Sequence, residues 1–437
     1  MACAGYFFVS LATGVRATGL YNDADSRGAA LGGEEVAGSQ SVLAAMDSNP
    51  AALASLPRAE VAATLTGALL NGHFDQPNER ANLQNTNALL GSGAFEIPAP
   101  RHWPVHFGLA VIPDFTLETS WHFHDAPGGL GGTTSYGEKD YHSRILSLRT
   151  TAGAAVQVTS WLSLGAAAGA DYVHNSLKVP YVFQSQPALA GFKTLLDLDT
   201  DNYAAAFDFG AQFRVSSKIT IGLSYRPHTV ADTEGTASGN ASAQLQALGG
   251  GFATVDPNFN YIAQVRTELP QRVAAGIEWQ ALDRLRLVGG IDWVNWSDAF
   301  DQLNVHLKDG SNAAINGVVG SDSLTDIVPL NWRDQFVFRG GLEFEILTGL
   351  TARAGYSYAQ SAVPNDTLTP LTGAIFEHTV TAGVGYRWDR YHADLAWQWR
   401  LPAAEHVGQS ALLDGEYSGT SVTVDAHVLQ LTAAIDF

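Results

Sequence analysis

The last sixteen residues read VTVDAHVLQLTAAIDF, with Leu429, Leu431, Ala433 and Ile435 on one face and Gln430, Thr432 and Asp436 on the other. An apolar period of two describes a strand wetted on one side only. As a free edge, a long apolar strand at a chain end would invite aggregation. Inside a closed barrel it pairs with the first strand, and no edge remains.

The same alternation recurs from Arg58 onward. RAEVAATLTGALLN is the first candidate strand, followed by a polar, proline-containing stretch, HFDQPNERANLQNTN. Further candidates are WPVHFGLAVI, FTLETSWHF, RILSLRTTAGAAVQV, LSLGAAAGADYVHN, YAAAFDFGAQFRV and KITIGLSYRPHTV. FNYIAQVRTELPQRVAAGIEWQ, LRLVGGIDWVNWS, DQFVFRGGLEFEI, LTARAGYSYAQ, HTVTAGVGYRW, YHADLAWQWRL and the terminal strand complete the set. With FNYIAQ… taken as one strand broken at Pro270, the total is about fourteen, an even number as single-chain bacterial barrels require. Tight turns at Thr159-Ser160-Trp161, Ser216-Ser217, Leu282-Asp283-Arg284, Thr348-Gly349 and Asp389-Arg390 alternate with polar loops near 125–143, 176–202, 231–258, 304–333, 361–376 and 402–420. Short turns on one side and long loops on the other are the polarity of an outer-membrane barrel.

The chain ahead of Arg58 has a different texture. Residues 18–57 are small, acidic and irregular, and Ser39 to Ala54 predicts short helices, the second capped by Asp47 or Ser48. We read 18–57 as a hatch plugging the lumen and 58–437 as the barrel. Residues 1–17, MACAGYFFVSLATGVRA, have the short apolar core of an export signal without its basic flank. They are read as a truncated signal segment or an N-terminal arm.

Composition narrows the class. Charged residues make up 15% of the 437, against about 25% in soluble domains, and no 18-residue apolar run replaces them, which excludes helical spans. Ten Trp, 14 Tyr and 20 Phe can furnish interfacial girdles. A net charge of −19 excludes nucleic acid as a partner, and the lone Cys3 excludes internal disulfides. No G-x-S-x-G, H-E-x-x-H or Walker loop occurs, so neither a catalytic residue nor a cofactor is expected. His122 and His124, with His102 and His106 upstream, and the acidic triplet Asp197, Asp199 and Asp201, placed in a long loop, are read as solvated side chains rather than metal ligands.

Several stretches resemble the FadL family of outer-membrane transporters for long-chain fatty acids and other hydrophobic compounds. DSNPAAL (Asp47 to Leu53) is similar to the family's hatch motif, here Asn49, Pro50 and Ala51. IGLSYRPHTVADTEGTAS (Ile221 to Ser238) resembles its G-x-S-Y-R strand. Glu268 to Val305 resembles a strand pair opening on Leu-Pro and ending in Trp-x-x-Trp-Ser. Asn331 to Phe344 and Ala352 to Pro370 resemble the W-K/R-D strand and the Y-x-x-S-P-V-P loop, although Ala362 replaces the first proline. The stretches follow family order from about residue 15 to the C-terminus. Only residues 98–135 match poorly, and there the family opens a gap in its wall.

The resemblance implies an all-β, transmembrane antiparallel barrel of about fourteen strands in a Gram-negative outer membrane. It implies passive uptake of fatty acids or aromatic hydrocarbons by loop capture, an interior apolar pocket and sideways release into the membrane. Asn49, Pro50 and Ala51 would gate; Arg333, and a second basic position near His174 and Lys178, would bind the cargo. Phe437 and Ile435 would be read by the barrel-assembly machinery, and the other partners would be membrane lipid and lipopolysaccharide around a monomer. The rival readings are a surface adhesin or receptor barrel acting through its loops, and a general porin.

Overall fold

The computed structural model describes residues 23–84, 87–97 and 104–437. Residues 1–17, the first part of the hatch and His102 lie outside that range. Nineteen strands form one antiparallel sheet, and it closes where β1 (Glu60–Gln76) pairs with β19 (Ser421–Asp436), from Glu60↔Asp436 to Asp75↔Ser421. The wall has fourteen staves. After β1 come β3 (Asn87–Ile97), β4 (Val105–His124), β5 (Glu138–Thr159), β6 (Leu162–Val182) and β7 (Lys193–Arg214), the little β2 (Glu79–Asn82) lying in a loop. Four composite staves follow: β8–β9 (Ile219–Arg226, Thr229–Asn240), β10–β11 (Asn258–Leu269, Arg272–Leu282), β12–β13 (Leu285–Val294, Gln302–Lys308) and β14–β15 (Leu324–Pro329, Gln335–Leu347). The breaks at Pro227 and Pro270 have a simple cause: proline cannot donate to a ladder. β16 (Leu350–Ala359), β17 (His378–Trp388), β18 (Tyr391–His406) and β19 complete the ring.

Two details of the expected strand list change while their effects on the total cancel. WPVHFGLAVI and FTLETSWHF are one strand, β4, bulged at Pro113–Asp114. NALLGSGAFEI, within and after the stretch read as loop, is a strand of its own, β3. The segment 176–202 is also mostly strand, because a wall that extends beyond the membrane carries polar residues on its outer face. Asp197, Asp199 and Asp201 are such residues in β7, not a loop cluster. His174 lies 3.1 Å from Asp199 and Lys178 3.6 Å from Asp197.

Alternation sorts the two faces. In β1, Ala62, Thr64, Thr66, Leu70 and Phe74 are buried inside, while Val61, Leu65 and Leu69 are exposed outside. The outer surface carries a continuous run of exposed Leu, Phe, Ile and Val from β1 round to β19, among them Phe207, Leu223, Ile277, Phe338, Leu395 and Leu431. Such a patch is far larger than a water-soluble surface tolerates. Trp161, Trp388, Tyr391 and Phe437 ring it at the short-turn end, and Tyr203 and Tyr356 mark the other side. From Tyr391 to Trp399 the wall rises about 27 Å along the strand, or roughly 21 Å along the axis at a tilt near 40°, close to the apolar band of an outer membrane. No described helix is long and apolar enough to cross a membrane.

Inside the short-turn half sits the N-terminal segment. α1 (Ser26–Ala30) is capped by Asp25, α2 (Val42–Ser48) by Ser41, and a 3₁₀ turn (Pro50–Ser55) by Asn49, whose Oδ1 accepts the Ala51 N–H at 3.1 Å. The second cap is therefore Asn49 rather than Asp47 or Ser48: proline at the first helical position fixes the start one residue later. The packing is intimate because the wall presents glycine to it. A Cβ at Gly165 would lie 2.4 Å from the Pro50 and Ala51 backbone, and one at Gly222 would lie 2.0 Å from the Val36 carbonyl oxygen. Gly222→Ala should therefore loosen the plug by about 1–3 kcal/mol, the usual cost of overpacking. Gly67→Ala, whose Cβ meets nothing nearer than 4.0 Å, should leave it unchanged; protease sensitivity of residues 23–57 in the refolded protein checks both.

Candidate functional site

Above the plug, toward the long loops, the lumen contains a cavity of about 180 Å³. Its walls are Leu117, Ile145, Leu177, Val179, Leu196, Leu198, Val265, Leu303, Val305 and Leu307, with Tyr181, Phe183, Phe300 and Tyr417 adding rings. Each CH₂ moved there from water gains about 0.8 kcal/mol. Two of the polar groups on the lining are bound within the protein. Asn175 Nδ2 donates to Thr267 at 2.8 Å and Thr233 at 3.0 Å, and Asp326 accepts from the main chain of Gln184, Ser185 and Gln186. Arg144 lines the cavity with Glu118 3.6 Å away. A lid closes the top, where buried Lys193 Nζ reaches Asp125 at 2.7 Å, Glu416 at 2.9 Å and the Ala126 carbonyl at 2.7 Å.

Below the cavity lies a cluster of rings. Phe300 stacks on Trp332 with centroids 4.7 Å apart, Trp296 meets Phe300 at 5.3 Å, and Phe115 meets Trp296 at 5.9 Å. Phe115 belongs to the bulge in β4. There the register with β5 slips between Pro113 and Phe115, since Pro113 lacks an N–H and Asp114 is the extra residue of a bulge. On the other side β4 pairs with β3 only from Phe107 to Val111. From Ile112 to Thr119 every side chain is buried and the alternation is lost, so the strand has bent into the lumen. The ladder between β3 and β4 is interrupted over that stretch, with Ala88, Leu90 and Ser92 facing it from β3.

Buried charges tie these parts together. Arg149 reaches Asp208 and Asp171 at 3.0 Å each and Asp114 at 3.6 Å. Arg226 reaches Asp114 at 2.5 Å, Asp208 at 2.6 Å and the Asp47 carbonyl at 2.7 Å. On the opposite wall Arg27 of α1 lies 3.0 Å from Glu343, which also holds Arg353 and Arg286. Asn49 completes the attachment, donating to Val36 O at 2.7 Å and to Ala211 O of the wall at 3.1 Å. Burial pushes the Asp47 carboxyl up to about 6, against the pull of Arg226.

The residues expected to bind cargo are elsewhere. Arg333 is exposed in the link between β14 and β15 and lines no part of the cavity. Lys178 is exposed and His174 only half-buried, each facing its aspartate partner across to β7. Asn175, Ser176, Leu177 and Val179 through Val182 of β6 line the cavity, whereas His174 and Lys178 do not. The sequence signals for Arg144 and Arg226 are slight: an arginine where a polar stretch turns apolar at Ile145, and one immediately before Pro227. His122 pairs with Asp140 at 2.7 Å on the exposed outer face. Phe437 is exposed at the rim, its N–H on Ala59 O at 2.9 Å, with Ile435 beside it on the closing strand.

With this geometry established, three comparisons were made. Residues 9–437 match the model of a family described as outer membrane protein transport protein (OMPP1/FadL/TodX). No curated protein matches. Among solved structures, a Pseudomonas aeruginosa FadL homologue superposes with a TM-score of 0.75 at 17% identity, over 97% of this chain and 100% of that one. The Pseudomonas putida toluene transporter TodX gives 0.70 at 21% identity over 97% and 100%. The Ralstonia pickettii toluene transporter TbuX gives 0.69 at 20% over 94% and 98%.

One hatch carboxyl makes the seal sensitive to pH. Glu34 is buried against Gly276 and Gly290, and its Oε2 has no hydrogen-bond partner among the described residues. Burial, and then Asp292, push its pKa up to about 8. The folded protein thus binds this proton more tightly than the unfolded chain. That contribution is complete below the ordinary carboxylate value and is lost as pH rises through about 8. Protease sensitivity of the hatch should rise several-fold between about pH 6 and about pH 9, and Glu34→Gln should remove part of that rise, since burial also pushes the neighbouring Glu35 carboxyl up.

Proposed function

Because this chain belongs to the outer membrane transport protein family of FadL and TodX, transporters of hydrophobic compounds, we propose that it takes up small neutral hydrophobic molecules without an energy source. The observation that carries this is the 180 Å³ apolar cavity whose lining cations, Arg144 and Arg266, each already have a carboxylate beside them. A cavity of about 150 Å³ lined by aliphatic and aromatic side chains accommodates benzene, so the size suits a single aromatic ring. The loops joined by Lys193 would capture the molecule, and the aromatic cluster beneath would pass it to the interrupted ladder between β3 and β4. From there the path leads sideways to lipid, so the cargo never has to cross the plug. The polar short-turn exit would cost it the transfer energy gained at the cavity; the membrane interior would not.

A second reading, a carboxylated amphiphile, is favoured by Arg400. It lines a separate cavity of about 110 Å³ beside the hatch, stacked 5.5 Å from the Phe376 ring, and is in ion-pair contact with no carboxylate among the described residues. Binding by the refolded protein separates the two. Toluene should bind wild type, Arg333→Ala and Arg400→Gln alike. If the second reading holds instead, oleate should bind and Arg400→Gln should weaken it tenfold or more, about 1.4 kcal/mol. Binding of neither would leave the rival loop-based adhesin. Sideways release has its own test. Ser92→Cys with Ile112→Cys continues the β3–β4 register, so the disulfide should arrest uptake while leaving binding intact, and reduction should restore uptake.

A further inference from the structure

We infer that Arg226 is the positioning residue that couples the hatch to the sideways break in the wall. The inference rests on the reading of that break as the exit, and it adds a part that the reading does not contain. One guanidinium spends its three edges on three separate elements. Nη1 is 2.5 Å from Asp114, the extra residue of the β4 bulge. Nε is 2.6 Å from Asp208 of the fixed wall strand β7. Nη2 donates at 2.7 Å to the main-chain carbonyl of Asp47, two residues before Asn49.

Its place in the chain fits the role. Arg226 is the last residue of β8, immediately before Pro227, where the stave breaks into β8 and β9. Across that break β7 pairs with β8 only from Phe209 onward and with β9 only up to Asp201. On its β7 side the guanidinium therefore stands where the ladder is interrupted, while on its β11 side Arg226 is held in register with Arg272.

The electrostatics make the link obligatory rather than ornamental. Arg149 and Arg226 stand within ion-pair distance of Asp114 and Asp208, Arg149 also of Asp171, and Arg272 adds its positive charge near Asp114. If the bulge straightens, Asp114 must leave Arg226 or draw it along. If Arg226 moves, its bond to the hatch at Asp47 breaks. Separation would leave Asp114 only Arg149 at 3.6 Å, and weakening the pairing of a buried charge is unfavourable, which couples the rearrangement of bulge and hatch. Lysine cannot replace the guanidinium here, because one ammonium cannot direct donors along three fixed directions.

The test needs no cargo, so its failure and the failure of the uptake reading can be told apart. In a Cys3→Ser background, single cysteines are placed at Thr116 in the bulge, Ala51 in the hatch and Ala237 in the upper apolar cluster, all fully buried. Labelling by a small maleimide is then timed in the refolded, full-length protein with Arg226 or with Arg226→Lys. Lysine keeps the charge and so the fold, as the faster gel migration of the unheated barrel will show. Coupling requires labelling at both positions 116 and 51 to accelerate tenfold or more, with position 237 unchanged. Acceleration at only one of the two, or at all three, would overturn the inference. If Arg226→Lys leaves labelling unchanged, Arg226→Gln combined with Asp114→Asn, which removes one charge of each sign, must still expose both sites or the proposal fails.

Discussion

A backbone that crosses lipid as strands must place every N–H and C=O in a ladder, because the hydrocarbon offers no other partner. The rest of this structure follows from that requirement. It dictates closure between β1 and β19, the long uninterrupted pairing of β5, β6 and β7, and the outward side chains that meet lipid. It also makes the exception informative. A ladder interrupted at membrane depth is tolerated only where the freed groups face protein or an internal space. Between β3 and β4 that condition is met by bending the strand inward, onto the aromatic cluster and the buried charges.

Two kinds of buried interaction divide the lumen. The upper half is held by apolar contact, which is non-directional and lets a guest take the place of a side chain at little cost. The lower half is held by directed contacts: arginine forks, caps and the close approach of hatch to glycine. Those yield to a guest far less readily, so on the proposed reading cargo would be confined by chemistry as much as by shape. The boundary between the halves coincides with the level of the bulge.

The architecture was legible because lipid on one side and polar or small groups on the other write a period of two into each strand. The sixteen terminal residues sort inward and outward as their alternation indicates. Legibility failed where the period itself is broken. At Pro113–Asp114 an added residue inverts which side chains face in, so one strand reads as two. At β7 the wall outlasts the membrane, so Asp197, Asp199 and Asp201 look like a loop. The site suffered most. Arg333 lies in a link between two strands, where no alternation says which way a side chain points, while Arg144 lies within a strand, where one residue of register decides it. The Arg226 network joins positions from 47 to 226 that share nothing locally except being charges in apolar company.

The hatch is bound to the strand made last. The Ser26 N–H donates to Thr432 Oγ1 at 2.9 Å, and Gln430 Nε2 donates both to the Asp23 carbonyl at 2.9 Å and to Thr66 of the first strand at 3.1 Å. These bonds straddle the seam where the ring closes. The earliest part of the chain therefore has no finished seat until the final strand arrives, and the seam has no inner lining until the earliest part is in place. Sealing and closing are one event in the life of the molecule, so a half-built barrel is an unplugged one as well.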